Sequence, residues 1–162
     1  MDAAEMDRVV DQHLQAEMAG DIGAILDTFA NEVEHDLHPG ASTGPMRTKA
    51  DIEGFYTVLF CEITINSIRN VRRWHGDTYL VDESVLSVTA TGHPFGLDGQ
   101  GRHAEIPALH VFEFADGHIS RESGWLDFSA LTRASAGPAS AQAKPISTSR
   151  PTASRPAAPA SR

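Results

Sequence analysis

A chain of 162 residues with 41% hydrophobic and 22% charged content suits one globular domain with a single core. Its 22 acidic and 13 basic residues leave a net charge of −9, which argues against a nucleic-acid partner. No apolar run approaches the roughly 20 residues that span a bilayer, so no membrane is expected. The single cysteine, Cys61, excludes an internal disulfide and a zinc–cysteine cluster and reads as a buried, inert thiol.

Residues 3–19 read as a helix, because Met6, Val9, Val10, His13, Leu14 and Met18 recur at helical spacing. Gly20 ends it, and Asp21 can cap a second helix over 22–30 with Ile22, Ile25, Leu26 and Phe29 on one face. Residues 33–37 alternate as a short strand, and 38–45 form a loop rich in Pro and Gly. Thr48 and Asp51 open a third helix whose apolar face is Ile52, Phe55, Tyr56 and Leu59. From there the chain is β: 63–74, 79–90, 104–114 and 118–127 alternate and are rich in β-branched or aromatic residues. Asp116-Gly117 marks a tight hairpin. The order α-α-β-α-β-β-β-β predicts an α+β domain in which three helices cover one face of a curved, cone-shaped, largely antiparallel sheet.

Charge divides the chain. Residues 1–132 hold 8 basic and 22 acidic residues, whereas 133–162 hold five basic and none acidic. That second segment is dominated by Ala, Ser, Pro and Arg and carries one large aliphatic, Ile146. It cannot bury enough apolar area to offset its ordering entropy, so a domain over 1–132 and a disordered tail over 133–162 are expected. The N-terminus has no basic stretch followed by an apolar one, which, with the lone cysteine, leads to the expectation of a cytoplasmic protein.

Four stretches in this order carry a resemblance to the nuclear transport factor 2-like superfamily, and within it to ketosteroid isomerases and SnoaL-like polyketide cyclases. They are Ala19-Gly20-Asp21-Ile22 with Phe29-Ala30, then Val33-Glu34-His35-Asp36 ahead of the loop, then Ile52-Glu53-Gly54-Phe55-Tyr56. The fourth is His110-Val111-Phe112-Glu113-Phe114 with Asp116-Gly117-His118-Ile119 and Trp125. The resemblance covers about residues 5–131. It implies a cone-shaped fold, a homodimer and a site inside the cone.

Ketosteroid isomerases use a carboxylate base with an oxyanion hole made of a Tyr and a protonated Asp. The resemblance places the base at Asp36 by motif position, while His35 shares a strand face with Val33 and Leu37; only one of the two can point inward. His13 stands where the family has the Tyr, and His110 where it has the Asp. Histidines can donate to an oxyanion and also act as general acid or base near neutral pH. Asp127, two residues after Trp125, is similar to the acid/base of SnoaL-like cyclases and limonene epoxide hydrolases. The epoxide hydrolases add an Arg-x-Asp on an earlier strand, which 83–86 lacks. His35-x-x-His38 with Asp36 is a possible ligand set, but this spacing does not converge on a strand and loop, so no metal and no cofactor are expected.

The expectation is therefore a cofactor-independent enzyme of isomerase, cyclase or dehydratase type. It would act on a small apolar substrate bearing a carbonyl or hydroxyl. Asp36 or His35 would be base, His13 and His110 donors, and Asp127 a second acid/base. Phe55, Tyr56, Phe112 and Trp125 would wall the pocket. A non-catalytic binding or dimerisation domain and an epoxide hydrolase are the alternatives.

Overall fold

The computed structural model describes residues 1–38 and 44–133. The expected tail therefore lies outside the described residues beyond Arg133, as do residues 39–43 of the expected loop. Chain order is α1 (Ala3–Ala19), α2 (Ile22–Thr28), β1 (Phe29–His38), α3 (Lys49–Glu62), β2 (Ile63–His75), β3 (Tyr79–Ala90), a 3₁₀ turn (Pro94–Gly96), β4 (Arg102–Ala115), β5 (His118–Leu126) and α4 (Ser129–Arg133). The five strands form one sheet in the order β1-β5-β4-β3-β2. β1 runs parallel to β5 and the other pairs are antiparallel. This is the expected α+β arrangement of helices on a curved mixed sheet. The second helix ends at Thr28 rather than residue 30, and Phe29 already begins β1.

Local chemistry sets the boundaries. The Asp2 side chain accepts from Glu5 N–H while the Glu5 carboxylate accepts from Asp2 N–H, a reciprocal cap on α1. Gly20 takes a left-handed φ of 66° and closes the helix. Asp21 caps α2 and Thr48 caps α3 through side-chain oxygens that accept from Ala24 and Asp51 N–H. Asp116 (φ 51°) and Gly117 (φ 80°) make the β4–β5 hairpin with two left-handed residues, the pattern of a type I′ turn.

The inner face of the sheet carries alternate residues: Leu80, Leu86 and Val88 from β3, and Ile106 and Phe112 from β4, all buried. Met6, Val10, Ile25, Ile52 and Tyr56 pack down on it from the helices. Cys61, expected to be buried, is exposed, because it falls on the outward side of α3.

A second, polar contact holds α1 to the sheet. Asp82 on β3 is fully buried, and Arg73 on β2 donates to it through Nε at 2.8 Å. The same guanidinium reaches Asp7 (3.1 Å) and Asp11 (2.7 Å) on α1, and Asn70 also donates to Asp82 at 2.7 Å. Removing one partner of a buried ion pair strands the other. Arg73→Ala is expected to lower unfolding free energy by about 3–5 kcal/mol in urea denaturation. A loss under about 1 kcal/mol, the value of a surface pair, would show that the clamp contributes little.

Candidate functional site

Between α1, α3 and the sheet, polar side chains from four elements meet. His13 of α1 is fully buried on the helix's apolar side. Its Nε2 lies 3.2 Å from Glu122 Oε2 of β5 and 3.7 Å from Glu17 Oε1 one turn along α1. His35 of β1 is 3% exposed, and its Nε2 lies 3.6 Å from the same Glu122 oxygen. The proximity follows from register: His35 and Glu122 are direct partners across β1 and β5, so their side chains share a face. Backbone bonds to Met46 in both directions fix His35 from its other side. Tyr56 of α3 donates its phenol proton to Glu17 Oε1 at 2.7 Å.

His110 of β4 also faces inward, 6% exposed. It sits opposite Gly124, and a Cβ there would come within 2.9 Å of the His110 ring and 3.0 Å of Leu37. Gly124 therefore makes the room that His110 occupies. Among the described residues, His35 Nδ1 and His110 Nδ1 are buried without a hydrogen-bond partner.

The tautomer of His13 follows from its neighbours. Thr28 Oγ1 spends its one proton on Ile25 O (2.6 Å). The 2.8 Å contact between His13 Nδ1 and Thr28 Oγ1 must then be donated by the imidazole. Nε2 is left facing two carboxylates. Burial alone would lower the His13 imidazolium, but Glu122 and Glu17 outweigh it and hold the group up at about 10. Burial likewise would raise Glu122, but His13, then His35 and His110, hold it at about 2. Burial pushes His35 down, and Glu122 offsets this only in part.

These groups border a cavity of about 40 Å³ lined by Glu17, His35, Tyr56, His110 and Glu122 at its polar end. Leu59, Ile65, Leu86, Val88 and Ile106 are among its apolar walls. An outer groove of about 640 Å³ adjoins it, and His35, Leu37, Phe55 and Phe95 line both.

The structure brings together His13, His35, His110 and Tyr56, with Phe55 on the cavity wall. Phe112 lies beneath the cluster, its ring 5.9 Å from that of His13 in an edge contact. Three expected residues lie elsewhere. Asp36, favoured by motif position, does not line the inner cavity, since alternation turns His35 inward instead; it borders the outer groove and pairs with His38 at 2.8 Å. Trp125 is 44% exposed and stacks on His38 across the outer face at 4.9 Å. Asp127 is exposed, and its carboxylate accepts from Ser129 N–H at the start of α4.

Glu122 and Glu17 were missed in the sequence. Ile119 pairs with Phe114, but Arg121 pairs with Glu113, so Ser120 is an extra residue in the ladder. Strict alternation from Ile119 would put Arg121, Ser123, Trp125 and Asp127 inside. The bulge reverses the phase and puts Glu122 inside. Glu17 had a visible signal, since it lies four residues after His13 on one helix face.

The buried charges predict a pH profile for the fold. His13 is raised, so its contribution is complete below its ordinary 6.5 and is lost as pH climbs toward about 10. Glu122 is lowered, so its contribution is complete above 4.5 and is lost as pH falls toward about 2. His35 is lowered too, and adds to the loss below 6.5. Urea midpoints measured across pH in EDTA are expected to fall on the alkaline side, and Glu122→Gln is expected to flatten that slope. An alkaline slope unchanged in Glu122→Gln would place its origin elsewhere.

The SnoaL-like domain profile matches residues 10–122. No match was found among curated proteins. Among solved structures, a candidate polyketide cyclase from Xanthomonas campestris is 21% identical with a TM-score of 0.67, covering 82% of this chain and 98% of that one. A protein of ketosteroid isomerase-like fold from Catenulispora acidiphila, in complex with trimethylamine, is 16% identical with a TM-score of 0.65, covering 78% and 91%. An LEH-like epoxide hydrolase from M. tuberculosis is 13% identical with a TM-score of 0.62, covering 81% and 89%. At such identities these likenesses concern the fold alone. With a profile that spans most of the chain and a sheet and helix order that agree with it, the chain belongs to the SnoaL-like domain family.

Proposed function

We propose that this domain is a small-molecule enzyme that moves protons on a substrate bearing a carbonyl or hydroxyl, by isomerisation, cyclisation or dehydration. One observation carries the reading: His35, His110, Glu17 and Glu122 line the polar end of an otherwise apolar cavity, with His13 packed behind them against Glu122. A core has no packing reason to gather such groups, whose desolvation costs several kcal/mol per ion. In water-poor surroundings a donor aimed at a developing oxyanion is worth about 3–4 kcal/mol.

His35 is the best placed base. It lines both the cavity and the outer groove, and its Nδ1 has no protein partner among the described residues. His110 offers a second free ring nitrogen on the same sheet, on the other side of β5, and His13 lies behind them against Glu122. The inner cavity is smaller than the roughly 300–1,000 Å³ of ordinary ligand pockets, so only the reacting end of a substrate would enter it. The rest would lie in the outer groove.

That small volume also favours a second reading, in which the cone is filled and the domain only binds or dimerises. A homodimer is proposed on either reading. The outer sheet face exposes Val71, Leu109 and Trp125, an apolar patch of the kind that marks an interface. The epoxide hydrolase reading gains no support from Arg73 and Asp82, which clamp α1 and do not line the cavity.

Two experiments test these statements. Exchange of the α-hydrogens of a panel of small ketones with solvent deuterium, followed by NMR, should be accelerated by the protein. His35→Gln should slow it at least about a hundredfold, the scale of general-base catalysis, while Asp36→Asn leaves it near wild type. No acceleration on ketones and no turnover of hydroxy substrates, with binding retained, would favour the non-catalytic reading. Separately, Leu109→Glu should convert a dimer to a monomer in light scattering; a wild-type monomer would end the dimer proposal.

A further inference from the structure

The Glu122 carboxylate and the Nε2 of His13 are held almost in contact, in a place where each is nearly inaccessible to water and neither makes a hydrogen bond of good geometry. From the separations and the surroundings of these atoms we infer that His13, Glu17 and Glu122 form a binding site for a divalent first-row transition ion. Zinc is the best match to the donor set.

The spacing is the first argument. The three ligand atoms, His13 Nε2, Glu17 Oε1 and Glu122 Oε2, all lie within 4.8 Å of one another. Two of the separations are 3.2 and 3.7 Å. With bond lengths of about 2.0–2.2 Å, neighbouring ligands of a tetrahedral zinc stand about 3.4 Å apart. His35 Nε2, 3.6 Å from Glu122 Oε2, stands beside this set and could complete it or hydrogen-bond to a bound water.

The second argument is orientation. A histidine ligand ordinarily donates its other ring N–H to a fixed acceptor, which sets the tautomer and aims the lone pair. His13 does so: Nδ1–H goes to Thr28 Oγ1, whose own proton is committed to Ile25 O. Glu17 is likewise fixed by the Tyr56 phenol, which leaves its carboxylate a further lone pair for an ion. These are supports that an ion site needs and that a simple buried salt bridge does not.

The third argument is access and size. Glu17 and Glu122 border the inner cavity, so an ion entering the cone would meet them. About 40 Å³ accommodates an ion and a water where it would crowd most organic molecules. Imidazole with carboxylates suits zinc and its neighbours in the first transition row better than copper(I), which prefers sulfur. The exposed pair Asp36–His38 has none of these supports.

Binding of the ion does not depend on the proton-transfer reading; only its role does. Within that reading, a bound ion would be a Lewis acid for the substrate oxygen.

The test uses the full chain, stripped with EDTA and dialysed. Titration with ZnCl₂ by calorimetry should give one ion per chain, and Co²⁺ should give a visible d–d spectrum of a low-coordinate site. Glu122→Gln and Glu17→Gln should each weaken Zn²⁺ binding at least about tenfold, as expected when a site loses one of its fixing groups. His38→Asn should leave it unchanged. Circular dichroism verifies that each variant is folded; if Glu122→Gln is not, Glu17→Gln and the Co²⁺ spectrum of the wild type decide. Absence of stoichiometric binding in the wild type overturns the inference, as does binding that survives both Glu variants or disappears in His38→Asn. Full deuterium exchange in EDTA without Zn²⁺ binding would leave the proton-transfer reading standing alone. Zn²⁺ binding without exchange or turnover would leave the ion site and remove the enzyme.

Discussion

A carboxylate with 2% of its surface exposed, Glu122, is the constraint around which this domain is arranged. Taking such a group out of water costs several kcal/mol unless positive charge and hydrogen-bond donors replace the solvent. Here the replacement comes from other elements: His13 from α1 and His35 from β1, with His110 on β4 contributing at longer range. Helix and strands are thus docked on one another through a charge as well as through apolar area. The contact specifies where α1 lies along the sheet, because a shift of one helical turn would set either Val9 and Val10 or the like-charged Glu17 against Glu122.

A second polar contact divides this labour. Arg73 and Asp82 fasten the N-terminal half of α1, and the His13–Glu122 pair fastens its C-terminal half. Between and above them the packing is apolar. The two polar contacts differ in what remains for chemistry. Arg73 is saturated by three carboxylates. The histidines beside Glu122 keep ring nitrogens with no protein partner among the described residues. Surroundings of low dielectric strengthen any interaction those nitrogens make, which is why a small polar end in an apolar cone can do more than the same groups at a surface.

Most of the fold was legible. Periodicity located every main helix and strand, because the apolar faces are long and the capping residues Asp21, Thr48 and the Asp116-Gly117 turn are chemically explicit. His13 was legible as a polar residue on an apolar helix face, and His110 only through its place in the family resemblance. His35 was legible from alternation with Val33 and Leu37, and only the motif position pulled the reading toward Asp36. What the sequence hid was the phase of β5. A single extra residue at Ser120 exchanges the two faces for the rest of the strand, and nothing in His118-Ile119-Ser120-Arg121-Glu122 announces it. Trp125 and Asp127, which the resemblance placed at the site, lie on the outer side in consequence, and Glu122, which no motif marked, lies within.

Among the described residues the strand that carries Glu122 is last in sequence but lies between β1 and β4. During synthesis β1, with His35, is made almost ninety residues before its sheet neighbour exists, and His13 emerges earlier still. Until β5 is inserted, α1 has an apolar face with a lone imidazole in it, and β1 has nothing but its bridge to Met46 to pair with. Closing that long-range parallel pair is entropically demanding. The buried charge and the side chains that compensate it thus come from opposite ends of the domain, and they can meet only when that pair closes.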